Sequence, residues 1–111
     1  MHEKYSFLFL GLHGSPGEDG TFQHQLDLLG VRYNGPGEKS SRICMDKFET
    51  GELINHAKIP GVSTPKKVLI PISDDEHNIE KIWNRLMGEV KSGTSFIVKP
   101  RRDGCSAGVL R

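Results

Sequence analysis

A chain of 111 residues is the size of one ordinary domain, and its 35% hydrophobic content with 13 glycines and 6 prolines points to a loop-rich one. A formal charge of +1 gives no field to gather nucleic acid or an anionic membrane, and apolar runs as short as Phe7-Leu8-Phe9-Leu10 exclude a membrane-spanning helix. Two cysteines, Cys44 and Cys105, make neither a disulfide framework nor a zinc site; with no apolar signal segment after Met1-His2-Glu3-Lys4, they imply a cytoplasmic protein with free thiols.

In chain order, residues 6–12 read as a buried strand closed by glycine. A glycine-rich loop follows, His13-Gly14-Ser15-Pro16-Gly17-Glu18-Asp19-Gly20. Phe22, Leu26 and Leu29 then share one helical face over 21–29, with Asp19 or Thr21 as cap and Gly30 as terminator. Val31-Arg32-Tyr33 is a short extended piece, and Asn34-Gly35-Pro36-Gly37 is the clearest internal boundary. From Ser40 or Ser41 to about Lys58 the apolar spacing is helical but drifts, so one helix, or two meeting between Asp46 and Gly51, fit equally. Residues 66–72 read as a strand. Residues 78–91 carry the clearest helix, with Ile79, Ile82, Trp83, Leu86, Met87 and Val90 on one face expected to be core; Asp75 or Asn78 would cap it and Gly93 would end it. Ser95 to Pro100 is a further strand, and Arg101 to Gly108 a second glycine-containing loop.

Both loops suit ligand binding. A strand that runs into glycines and then a helix brings backbone N–H groups and a positive dipole end to one place. His13 stands at the end of such a strand, where open α/β sheets contact ligands; the plainer reading is a surface turn. In the second loop Lys99 precedes Gly104, Cys105, Ser106 and Gly108: an ammonium, a hydroxyl and free backbone N–H groups are what a phosphate needs. A hairpin turn with solvated cations is the plainer reading there. Lys47 is a further lysine on a helix. Gly35-Pro36-Gly37-Glu38-Lys39-Ser40 lacks the spacing of a nucleotide phosphate loop and reads as a turn and cap. The histidines show no metal-ligand spacing, no histidine stands near Cys105 to act as its base, and His24 and His56 fall on solvated faces.

Taken together, His13-Gly14-x-x-Gly17-Glu18-Asp19-Gly20, Tyr33-x-Gly35-x-Gly37, Ser41, Met45-Asp46-Lys47, Ile97-Val98-Lys99-Pro100 and Gly104-Cys105-Ser106-Ala107-Gly108 resemble the D-alanine–D-alanine ligases. These are ATP-grasp enzymes of peptidoglycan synthesis. The resemblance implies an α/β fold in two partial units: residues 1–36 as the C-terminal part of a Rossmann-like pre-ATP-grasp substrate domain, and 37–111 as a truncated small α+β ATP-grasp subdomain. It implies that His13 and Cys105 meet the first D-alanine, and that Lys47, Lys99, Gly104, Ser106 and Gly108 bind ATP. Cys105 departs from the family, which usually carries serine there.

The resemblance further implies ATP and D-alanine as substrates, an acyl-phosphate intermediate, magnesium as cofactor and a homodimeric parent enzyme. Against the family pattern, the sequence lacks a first strand with its glutamate, the adenine pocket, an arginine facing the reacting phosphate and the magnesium ligands. No catalytic residue or metal ligand is therefore assigned, and the 111 residues alone are expected to be inactive. Two other functions fit the same residues: a ligase with D-lactate or D-serine as acceptor, and a non-catalytic binding module.

Overall fold

Helical spacing of apolar residues, punctuated by glycine and proline, produces four helices: α1 (Thr21–Leu28), α2 (Glu38–Met45), α3 (Lys47–Ala57) and α4 (Ile79–Glu89). They belong to a computed structural model that describes residues 7–70, 79–90, 95–105 and 107–110. α1 packs on α2, and α2 on α3.

Each helix end has a local cause. α1 starts after Gly20, whose φ of +90° is left-handed, and Asp19 Oδ1 accepts from Thr21 N at 2.9 Å. Gly30 follows its C-terminus at φ +65°, as its place in the sequence predicts. α2 starts at Glu38, earlier than Ser40 or Ser41; Gly37 is the cap residue, and Glu38 puts a negative charge on the first turn. Ser41 is instead buried inside α2, its Oγ donating to Pro36 O at 3.3 Å. The long helical segment is two helices, joined at Asp46, which leaves helical geometry at φ −87°, ψ 104°. The expected caps Asp75 and Asn78 and the terminator Gly93 lie outside the described residues.

The strands expected at 6–12, 66–72 and 95–100 are not present among the described residues, where extended chain joins the helices instead. A strand is defined by its ladder, and these segments make single rungs. Leu8 pairs in parallel with Tyr33, Leu8 N donating to Arg32 O at 2.8 Å. The next rung is made by a side chain: Asn34 Oδ1 accepts from Leu10 N, and Asn34 Nδ2 donates to Leu10 O at 3.1 Å. A carboxamide has the donor and acceptor of a peptide group, so it satisfies Leu10 without continuing the backbone ladder. Val98 and Leu110 form one antiparallel pair, with N–H to O distances of 2.9 and 2.8 Å. Residues 66–70 carry no bridge.

Packing is thin for the same reason. Leu26 is the hydrophobic residue buried among those described, at 5% exposure. The α4 stripe is not the core its spacing predicts: Ile79 is 80% exposed, Trp83 and Met87 are open, and Ile82, Leu86 and Val90 are half-buried. Trp83 meets Phe96 edge-on, with ring centroids 5.8 Å apart, while Val68 and Ile70 border a groove beside Ile82 and Leu86. An amphipathic helix needs a continuous surface to lie on, and two extended segments without a sheet supply only patches. The radius of gyration is 18.5 Å, well above the roughly 13 Å of a compact domain this long.

Candidate functional site

The two glycine loops build two separate pieces of site. The first is a cleft of about 490 Å³ between the 10–18 loop, the start of α1, residues 34–36 and α2. His13, Glu18, Gln23, Asn34, Ser41 and Met45 are among its walls. The loop folds onto itself through its acids: Gly14 N donates to Glu18 Oε2 at 2.6 Å, and Ser15 Oγ donates to Asp19 Oδ2 at 2.5 Å. The Ser15 hydroxyl, followed by Thr21 N–H, holds the Asp19 carboxyl below its ordinary value. His13 is 86% exposed at the rim, with Nδ1 3.8 Å from Glu18 Oε1. It stands at the end of an extended segment and beside the cleft.

Deeper in the cleft wall, Gln23 is buried and donates through Nε2 to Gly17 O at 2.7 Å. The amide thereby ties α1 to the loop. Gly17 and Gly20 allow close approach: a Cβ on Gly17 would lie 2.4 Å from Leu12 Cβ, and one on Gly20 would lie 2.5 Å from Glu38 O. His24, expected on a solvated face, links α1 to α2 through a 2.8 Å contact from Nδ1 to Glu38 Oε2.

The second piece is the joint between α2 and α3, onto which the loop after Lys99 folds back. Asp46 caps α3: its Oδ1 accepts from Phe48 N and Glu49 N, both at 3.0 Å. Its Oδ2 lies 2.6 Å from Arg101 Nε and 2.8 Å from Arg102 Nε. The side chain has no exposed surface. Burial alone would push its carboxyl up; the Glu49 N–H, then Arg102 and Arg101, outweigh that and hold it below the ordinary value. The hydrogen bond to Asp46 likewise raises the Arg102 guanidinium above its usual value. Glu49 adds a second carboxylate, 3.0 Å from Arg101 Nη2, and the Arg101 guanidinium sits over the Phe48 ring at 5.9 Å.

Lys47 is the first residue of α3, and this joint aims it at the second loop. Its backbone N donates to Arg101 O at 3.1 Å, and its ammonium donates to the carbonyl oxygen of Asp103. Lys47 and the loop that follows Lys99 are thus neighbours in space although more than fifty residues separate them. Gly104 N is turned toward Asp103 Oδ1 at 2.8 Å, and Ala107 N donates to Gly104 O at 3.1 Å. Cys105 is exposed at φ +52°, a left-handed position uncommon for a residue with a Cβ. Gly108 has φ +65°, and a Cβ there would lie 2.8 Å from Pro100 Cγ. Lys99 is exposed next to the Val98–Leu110 pair. Ser106 lies outside the described residues. His13 and Cys105 belong to different pieces, the cleft and the second loop.

Sequence reasoning missed Asp46, Arg101 and Arg102 as a unit. The signal available was an aspartate directly before a helical run, a cap pattern; nothing local pointed to its arginine partners. Among the described residues no group of three or more His, Cys, Asp or Glu is placed to hold a metal ion. Asp46 and Glu49, which face the second loop, are engaged by its arginines.

No family model matches the chain. Individual proteins do. A D-alanine–D-alanine ligase of Nitrosospira multiformis is 35% identical over all 111 residues, and one of Fervidobacterium nodosum is 38% identical over 96% of the chain. The chain is similar along its whole length to one segment of D-alanine–D-alanine ligase. It spans about a third of the length of these ligases, 32% and 34% respectively. Solved ligases agree in shape. That of Coxiella burnetii superposes with a TM-score of 0.74 at 30% identity, covering 96% of this chain and 30% of that one. A Bacillus anthracis ligase complexed with ATP gives 0.62 at 31% identity, covering 95% and 32%.

Proposed function

We propose that this segment supplies the first-substrate wall and part of the ATP phosphate site of a D-alanine–D-alanine ligase. The observation that carries the reading is the juxtaposition of Lys47 with the glycine loop after Lys99, in a chain 35% identical to such ligases along its whole length. In this reading residues 1–36 end a substrate domain, and 37–111 form part of the small ATP-grasp subdomain. The protein works in the cytoplasm, as a homodimer, on peptidoglycan precursors.

The chemistry divides into two transfers. The γ-phosphoryl group of ATP passes to the carboxylate of one D-alanine, and ADP leaves. The amine of a second D-alanine attacks the resulting acyl phosphate; the C–N bond forms, the amine loses a proton and inorganic phosphate departs. The residues present fit a polyphosphate. The Lys47 ammonium donates to a main-chain carbonyl, a neutral acceptor that a phosphate oxygen outcompetes. Lys99 supplies a second cation, and Gly104, Ser106 and Gly108 belong to the loop that closes on the phosphates. His13 and Cys105 serve the first D-alanine. Magnesium, which such a polyphosphate would bring with it, would take its protein ligands from parts of the ligase outside this segment.

The test is kinetic, on the ligase that carries this segment. Lys47→Ala and Lys99→Ala each remove a charge-assisted contact of roughly 1.5–3 kcal/mol. The KM for ATP should then rise about 10- to 150-fold, with D-alanine little affected. His13→Ala should act mainly on D-alanine at the first site. An unchanged KM for ATP in both lysine variants would refute the phosphate-site assignment.

A further inference from the structure

Arg101 and Arg102 open the loop that carries Gly104, and both guanidiniums turn toward the start of α3. Both end on Asp46, with Arg101 Nε at 2.6 Å and Arg102 Nε at 2.8 Å from the same oxygen. The other oxygen of Asp46 takes the N–H groups of Phe48 and Glu49. One buried carboxylate therefore does two jobs, starting α3 and anchoring the second loop. Lys47 lies between those jobs. Its N–H reaches Arg101 O at 3.1 Å, so its backbone is fixed by the same joint that fixes the loop. A carboxylate with both oxygens engaged in this way has a fixed orientation, and so have the groups it holds.

We propose that Asp46 is a positioning residue that clamps the base of the second loop, through Arg101 and Arg102, against the start of α3, so that Lys47 and the loop face one polyphosphate. The clamp itself rests on the geometry; its consequence for ATP rests on the phosphate-site reading above. The arginines are neutralised by Asp46 and Glu49, while the Lys47 ammonium donates only to a main-chain carbonyl. Holding groups in place before the ligand arrives removes the ordering entropy from the binding step.

Asparagine separates the two jobs of Asp46. Its side-chain oxygen caps a helix as well as aspartate does, but it carries no charge for the arginines. Amide hydrogen exchange followed by NMR on this chain, and an ATP titration of the ligase that carries it, read the outcome. In Asp46→Asn, Phe48 and Glu49 N–H should keep their protection, while Lys47 N–H should exchange about tenfold faster and ATP bind about tenfold more weakly. The paired variant Arg101→Gln, Arg102→Gln leaves the capping oxygen untouched and should reproduce the Lys47 effect; it decides the question if the asparagine variant does not fold. Unchanged Lys47 protection in both variants overturns the clamp. Faster Lys47 exchange with unaltered ATP affinity overturns the positioning role. Unaltered ATP affinity in Lys47→Ala of that ligase overturns the phosphate-site reading and the positioning role with it, while the exchange arm still upholds or overturns the clamp.

Discussion

Gly20 offers a test of the packing that shapes the first cleft. It is buried, has φ +90°, and a Cβ there would lie 2.5 Å from the carbonyl oxygen of Glu38, a backbone atom of α2. Replacing it with alanine has two separable effects. A left-handed conformation costs an L-residue about 1–2 kcal/mol. Forcing α2 away from the start of α1 adds about 1–3 kcal/mol, the usual range for overpacking. Gly35 is the matched control: its φ is +92°, and a Cβ there would meet nothing within 4 Å. Gly35→Ala therefore carries the conformational cost alone. Thermal unfolding followed by circular dichroism should place Gly20→Ala below Gly35→Ala by about 4–24 °C, at roughly 4–8 °C per kcal/mol for a small domain. Equal midpoints for the two variants would refute the claim that α1 and α2 are in backbone contact at Gly20. The contact matters for function because the same helices wall the cleft beside His13.

Acid should weaken the α2–α3 joint. The folded-state carboxyl of Asp46 is held below its ordinary 3.8, because the Glu49 N–H and the two arginines outweigh burial. Its contribution is complete above about pH 5 and is lost as pH falls through the depressed folded value, below pH 3.8. Unfolding midpoints measured from pH 6 to 2 should fall less steeply in Asp46→Asn; parallel curves would remove Asp46 from the account. Gly51, mid-way along α3, presents the opposite case from Gly20. The three atoms nearest to a Cβ there all belong to the end of the Lys67 side chain, with Nζ at 1.9 Å, a chain long enough to swing aside. Gly51→Ala should raise stability by about 0.5–1 kcal/mol through helix propensity, and a lowered unfolding midpoint would show the Lys67 stem to be fixed.

The sequence by itself determined the local elements and the kinship. Phe22, Leu26 and Leu29 with Gly30 specify α1, and the stripe from Ile79 to Val90 specifies α4, because helix spacing and glycine termination depend on residues within a few turns. The His13–Gly20 loop and Met45-Asp46-Lys47 point to D-alanine–D-alanine ligases because short motifs are local too. Tertiary structure alone decided what those elements rest on. Residues 66–70 and 95–98 have strand-like composition, but a ladder requires a partner in register, which composition does not encode. Asn34 ends one ladder by standing in for a peptide group, a substitution visible only once Leu10 is beside it. Asp46 reads as an ordinary cap until the chain brings Arg101 and Arg102 back to it across more than fifty residues. The charge pairing that aims Lys47 depends on that return of the chain, and no pattern local to either segment contains it.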